Sequence, residues 1–273
     1  MPETMRDASS APILLCDIKD GIATVTLNRP EKKNAMSLEL LSLVRETCES
    51  LREEPGLRAV ILTGAGGVFS AGIDITMMGS MASNVDDLKA RMAQTDESGA
   101  NEFQSPNTCW ASLPVPVIAA IDGICFGAGM QLALGADFRI ADPATRMSIM
   151  EAKWGLIPDM GLTQSLPKLM GADQAKMLMM TGRELTGEEA LAVGLVTETT
   201  ETPLSRALEL AETFVLKNPD ALAASKKLVD ETWGSGGKEA LLLEARLQAT
   251  LMGSPNNVEM IMANMQKRPP RFG

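Results

Sequence analysis

The chain has 273 residues, 45% of them hydrophobic, a net charge of −10, and neither histidine nor tyrosine. That length and apolar content fit one large domain with a sizeable core, and the charge disfavours attraction to nucleic acid or an anionic membrane. Without histidine there is no Ser-His-Asp or Cys-His chemistry and no histidine-held metal, so proton transfer falls to Asp, Glu, Lys, Cys or water.

The polar stretch MPETMRDASSAP reads as neither signal nor transit peptide, and no apolar run reaches the roughly 18 residues of a membrane span, so a cytoplasmic protein is expected. Residues 13–28 read as two strands around an Asp20-Gly21 turn. NRPEKKNAMS is a loop whose Ser37 can cap a helix running to about Glu54. AVILTG (59–64) reads as a buried strand and is followed by the glycine-rich GAGGVFSAGID. Residues 80–106 suggest a polar, Ser/Met-rich helix with loose ends. PVIAAIDG (116–123) is a second buried strand, FGAGMQLALGAD starts an apolar helix, and ADFRIAD and TRMSIM are shorter strands. From Gly161 onward the pattern is helical, with turns at Gly171, Gly182, Gly194 and Pro219. An α/β core over 1–200 followed by a helical region over 201–273 is therefore expected. The four scattered cysteines read as reduced core thiols, with no metal site.

Two glycine-rich loops, VFSAGID and FGAGMQ, each follow a buried strand. Loops beyond strand ends gather ligands in α/β sheets, and two such loops can offer two N–H donors to one oxygen. Read alone, the glycines serve turns and close packing equally well. Neither loop has GxGxxG spacing or the Lys-Ser/Thr of a P-loop. MEAKWGLIPDMG sets Glu151 and Asp159 among Trp154, Leu156 and Ile157, an apolar setting that raises carboxyl pKa values and suits acid/base work. Each acid alone reads equally as a cap or ion-pair partner, and Asp159 as the N-cap of the next helix.

Taken together, ATVTLNRPEKKNAMS, VFSAGID, PVIAAIDGICFGAGMQLALGADFRIAD, EAKWGLIPDMGLTQSLPKLMG and TGRELTGEEALAVGLVTE resemble the crotonase, or enoyl-CoA hydratase/isomerase, superfamily over nearly the whole chain. The resemblance implies an α/β spiral of ββα turns with a helical trimerisation region, assembled as a homotrimer or hexamer. It implies an acyl-CoA thioester substrate and no separate cofactor. The thioester oxygen would be held by the backbone N–H groups of Ile73 and Ala128, where alanine replaces the usual glycine. CoA would lie along Lys32, Lys33, Ala71 and Asp74, with the basic tail (Lys267, Arg268, Arg271) reaching it from a neighbouring subunit.

In hydratases of this family two glutamates hold and activate water, at the positions of Gln131 and Glu151. A glutamine can hydrogen-bond water but exchanges no proton at neutral pH, so the pair is incomplete. Isomerisation is favoured: Glu151 is the main base, Asp159 its partner acid, and Gln131 orients substrate or water. The alternatives are hydration with Glu151 as the sole acid/base, and a non-catalytic acyl-CoA-binding trimer. A dehalogenase-type aspartate nucleophile at Asp159 is disfavoured by an aromatic content of only 3%. The Met/Ser-rich segment 76–106 is expected to form one wall of the acyl pocket, with Trp154 near the acyl end or in the core.

Overall fold

A computed structural model describes residues 11–77, 85–234 and 237–272. Strands β1 (Leu14–Lys19) and β2 (Ile22–Leu27) pair antiparallel around Asp20-Gly21, both of whose φ angles are positive (53° and 78°), the geometry of a tight hairpin turn. Ser37 accepts the Leu40 N–H and starts α1 (Leu38–Arg52), which buries Leu40, Leu41, Val44, Cys48 and Leu51 along one stripe. The chain returns as β3 (Ala59–Gly64) and β4 (Val117–Ile121), which are buried on both faces apart from the terminal Gly64. After them come β5 (Ile124–Phe126), α2 (Ala128–Leu134), β6 (Phe138–Ala141) and β7 (Arg146–Ser148).

The large sheet has the order β1-β2-β3-β4-β6-β8, parallel from β2 onward. Its last strand, β8 (Glu198–Thr199), corrects the all-helical reading of the C-terminal third; two residues carry no period a sequence could show. A second row of short extended pieces runs beside it: Met36 bridges Ile73, Ser70 bridges Cys125, β5 pairs with β7, and Met147 bridges Leu185. Each turn of the spiral thus supplies one strand to the sheet and one short piece to this second row.

The main core lies between the sheet, α1 and the second row, around Trp110, Met36, Leu40, Phe69 and Met130. The other face of the sheet is covered by the helix Pro203–Val215, whose Ala207 and Ala211 are fully buried and whose Phe214 stacks on Phe138 at 5.6 Å. The helices Pro219–Thr232, Lys238–Leu251 and Pro255–Gln266 complete the chain. Within 80–106 the described residues form only the short helix Val85–Met92 and the beginning of Ser105–Thr108; 78–84 lie outside the described residues. Among the cysteines Cys48 and Cys125 are buried, whereas Cys16 is exposed on the edge strand β1, contrary to the core-thiol expectation.

Candidate active site

Two loops are brought together by strand register. Ser70 N–H donates to Ile124 O (2.9 Å) and Phe126 N–H to Ser70 O (3.0 Å), so the segment 70–74 runs alongside β5 and the start of α2. The approach at Gly72 is close: a Cβ there would stand 2.9 Å from Phe126 O and 3.7 Å from Ala128 N, and its φ of +97° disfavours any side chain. Met36 N–H donates to Gly72 O and Asp74 N–H to Met36 O, which turns the intervening Ile73 N–H away from Met36. Ala128 is the first residue of α2, whose opening N–H groups have no partner inside the helix. Neither the Ile73 nor the Ala128 N–H donates to another group among the described residues.

The loop that carries Ile73 is stitched down by residues the sequence reading passed over. Ser70 Oγ donates to Asn34 O and accepts the Gly72 N–H. Asn34 is fully buried; its Nδ2 donates to Ala65 O and Val68 O, and its Oδ1 accepts the Arg29 N–H. Arg29 Nη2 pairs with Asp74 Oδ2 at 2.9 Å. The hydroxyl of Thr76 and this guanidinium hold the Asp74 carboxyl below its ordinary pKa. The Asp74 carboxylate is thus engaged with Arg29 and Thr76 inside the protein. Lys32 and Lys33 are exposed, and Lys33 O accepts the Ala71 N–H at 2.9 Å, which places those three residues together. Lys267, exposed at the end of the last helix, has no hydrogen bond or ion pair to these loops among the described residues, and Arg268 is taken up by Glu259.

The three polar side chains expected at the site do converge. Glu151 opens a 3-10 turn (Glu151–Trp154), and its Oε1 would lie 3.5 Å from a Cβ on Gly127. Gln131, the fourth residue of α2 and only 2% exposed, donates from Nε2 to Glu151 Oε1 at 2.7 Å and accepts the Met160 N–H on Oε1 at 2.8 Å. Glu151 Oε2 is screened from solvent and has no hydrogen-bond partner among the described residues. Burial pushes the Glu151 pKa up, opposed by its own N–H and the Gln131 amide and reinforced by the nearby Asp159 charge. Asp159 is raised as well, again by burial.

Asp159 does not cap the next helix, since Gly161 holds the N-cap position of Leu162–Ser165, and its charge bears on Glu151. Met160 is gripped on its other side too, since Asn107 Nδ2 donates to Met160 O at 2.9 Å. Asn107 lies 53 residues away in a segment with no motif, so no sequence signal marks it. Trp154 is 46% exposed, outside the core, and Leu156 and Ile157, which lie with it between the two acids in the chain, are exposed as well. A separate cavity of about 620 Å³ lies between the helices Pro219–Thr232 and Lys238–Leu251 and the segment 111–114. Its Asp230 pairs with Lys168 and its Lys226 with Asp137. Among the described residues no cluster of His, Cys, Asp or Glu could hold a metal ion, and no helix is long and apolar enough to cross a membrane.

The chain is similar to known proteins over nearly its whole length. The chain is 32% identical over 261 residues to mouse mitochondrial methylglutaconyl-CoA hydratase, covering 92% of this chain and 79% of that protein. It is 29% identical over 279 residues to enoyl-CoA hydratase EchA19 of Mycobacterium tuberculosis, covering 98% of this chain and 99% of that protein. Among solved structures, enoyl-CoA hydratase from Bacillus anthracis superposes with a TM-score of 0.87 at 30% identity, over 96% of this chain and 99% of that one. The model of the enoyl-CoA hydratase/isomerase family matches residues 17–273, and with these likenesses it settles the lineage: the chain belongs to the enoyl-CoA hydratase/isomerase family and is an acyl-CoA-processing enzyme.

Proposed function

We propose that the enzyme shifts a carbon–carbon double bond in an enoyl- or dienoyl-CoA, with Glu151 carrying the proton. The observation behind this reading is Glu151 Oε2: it belongs to a carboxyl of raised pKa, has no partner among the described residues and is screened from bulk water. A proton taken up there is poised to return to the substrate before it exchanges with solvent. The Ile73 and Ala128 N–H groups, on abutting loops, would polarise the thioester carbonyl. Glu151 Oε2 would remove a proton from C2 of a 3-enoyl chain; the C–H electron pair becomes the C1–C2 bond of a dienolate and the oxygen takes the charge. The negative oxygen is stabilised by the two donors, each worth about 3 kcal/mol. Return of the proton to C4 re-forms the thioester carbonyl and leaves the double bond between C2 and C3. Burial, with a smaller push from the Asp159 charge, keeps Glu151 readily protonated, and for a diene Asp159 would supply a second acid at the far end of the chain.

Hydration is the second reading, favoured by the relatives, which are themselves named hydratases. Here the remaining Nε2 proton of Gln131 would hold a water that Glu151 activates. The two readings separate by mass. Purified enzyme is incubated in H₂¹⁸O with crotonyl-CoA, a 3-enoyl-CoA and a 3,5-dienoyl-CoA in turn. Isomerisation gives a product of unchanged mass with a moved double bond; a labelled 3-hydroxyacyl product as the main outcome overturns it in favour of hydration.

A further inference from the structure

The hydrogen bonds through Gln131 have a fixed polarity. A backbone N–H can only donate, so Met160 obliges the carboxamide to turn its oxygen that way and its nitrogen toward Glu151. An amide nitrogen also only donates, so Glu151 Oε1 must accept whether or not the carboxyl carries a proton. The proton of a neutral Glu151 therefore belongs on Oε2, the oxygen with no partner among the described residues. Because Asn107 holds Met160 from the opposite side, the same amide also fixes the turn on which Asp159 precedes Met160.

We propose that Gln131 is a positioning residue: strung between Met160 and Glu151, its carboxamide assigns the transferable proton to Glu151 Oε2 and locks the Asp159 turn against the site. This rests on the reading of Glu151 as the proton carrier. The groups around Glu151 leave little else to do the assigning. Helix α2 (AGMQLAL) carries no charge, Asp74 is spent on Arg29, Lys153 is exposed and lies over the Trp154 ring, and Asp159 is the one other acid that bears on Glu151. A carboxylate at 131 could still accept from Met160. Unless protonated it could not donate to Glu151, so the two carboxyls would share one proton and Oε1 would cease to be a dedicated acceptor.

The test compares Gln131→Leu, Gln131→Glu and Glu151→Gln with the wild-type enzyme on a 3-enoyl-CoA. The readouts are kcat and KM across the acid-to-neutral range, thermal melting, and infrared spectra of protein ¹³C-labelled at its glutamate carboxyls. The Glu151 band is identified by its loss in Glu151→Gln. Gln131→Leu is expected to melt as a folded protein, to lose roughly 10–100-fold in kcat with KM within about threefold, and to move the carbonyl band of protonated Glu151 to higher wavenumber as Oε1 loses its donor. Gln131→Glu is expected to fold and to shift the acid limb of the kcat profile. Wild-type kcat in Gln131→Leu, or an unmoved carbonyl band, overturns the proposal. Should Gln131→Leu not fold, an unchanged pH profile in Gln131→Glu overturns it instead. An inactive Glu151→Gln beside a fully active Gln131→Leu defeats the positioning role alone, whereas a fully active Glu151→Gln defeats the proton-carrier reading and this inference with it.

Discussion

Replacing Gly72 by alanine tests the contact on which the site depends. The new Cβ would meet Phe126 O at 2.9 Å, whereas ordinary contact begins at 3.4 Å, so the 70–74 loop and the end of β5, which leads into α2, must part by roughly 0.5 Å. The backbone φ of +97° adds strain of about 1–3 kcal/mol, and the overpacking a further 1–3 kcal/mol or so. Gly67→Ala separates the two effects, because its φ is also positive (+70°) yet its Cβ would meet nothing within 4 Å. Melting should drop in both variants, by about 2–4 °C per kcal/mol, and further in Gly72→Ala. Turnover of the enoyl-CoA that the wild type accepts should fall about 10–100-fold in Gly72→Ala, since half an ångström misdirects the Ile73 and Ala128 N–H groups together. Gly67→Ala should keep its rate. A Gly72→Ala enzyme with kcat within about twofold of Gly67→Ala would refute the idea that these abutting loops act as one device.

Glu151→Gln should remove about 10²–10⁴-fold of turnover, and its effect on stability should depend on pH. Because burial raises the folded pKa of Glu151, the wild type gains stability from it below the ordinary carboxyl pKa and loses that gain as pH rises through the folded value. The melting temperature of Glu151→Gln relative to wild type should therefore climb from acid toward neutral pH; a difference independent of pH counts against a raised pKa. Lys226→Met strands a different acid. Lys226 Nζ pairs with Asp137 at 2.8 Å and donates to Trp110 O and Val115 O, holding the helix Pro219–Thr232 to the sheet. Its loss should cost about 3–5 kcal/mol at neutral pH, read by chemical denaturation. The cost should shrink in acid, where Asp137, already raised by burial, takes up a proton.

The parts of the fold legible in the sequence were those with a period or a punctuating residue. The stripe of α1 and its Ser37 cap, the buried runs of β3 and β4 and the Asp20-Gly21 hairpin all carry local signals. The strand β8 does not, and Asp159 had the composition of a cap but lost the position to Gly161 because the bend extends two residues further. At the site, motif order located Gln131, Glu151 and Asp159. What the sequence withheld was the wiring between them. Gln131 bonds a main-chain N–H 29 residues on, and Asn34 and Asn107 act on carbonyls 31 to 53 residues away. Contacts between a side chain and a distant backbone group leave no mark in residue type at the receiving end.

The Ile73 and Ala128 N–H groups are placed by strand register, with the Ser70, Asn34 and Arg29 side chains bracing the loop behind Ile73. Ile73 is placed by its neighbours' bonds to Met36, and Ala128 by the bonds between Ser70 and β5. Any residue but proline offers a backbone N–H, so the group presented at 73 and 128 does not depend on the side chain there. The three groups at 131, 151 and 159 sit on a separate frame, pinned through Met160. Exchanging carboxylate for carboxamide at the single side chain 131 would therefore alter the proton wiring of that frame while leaving the backbone placement of the two N–H groups as it is.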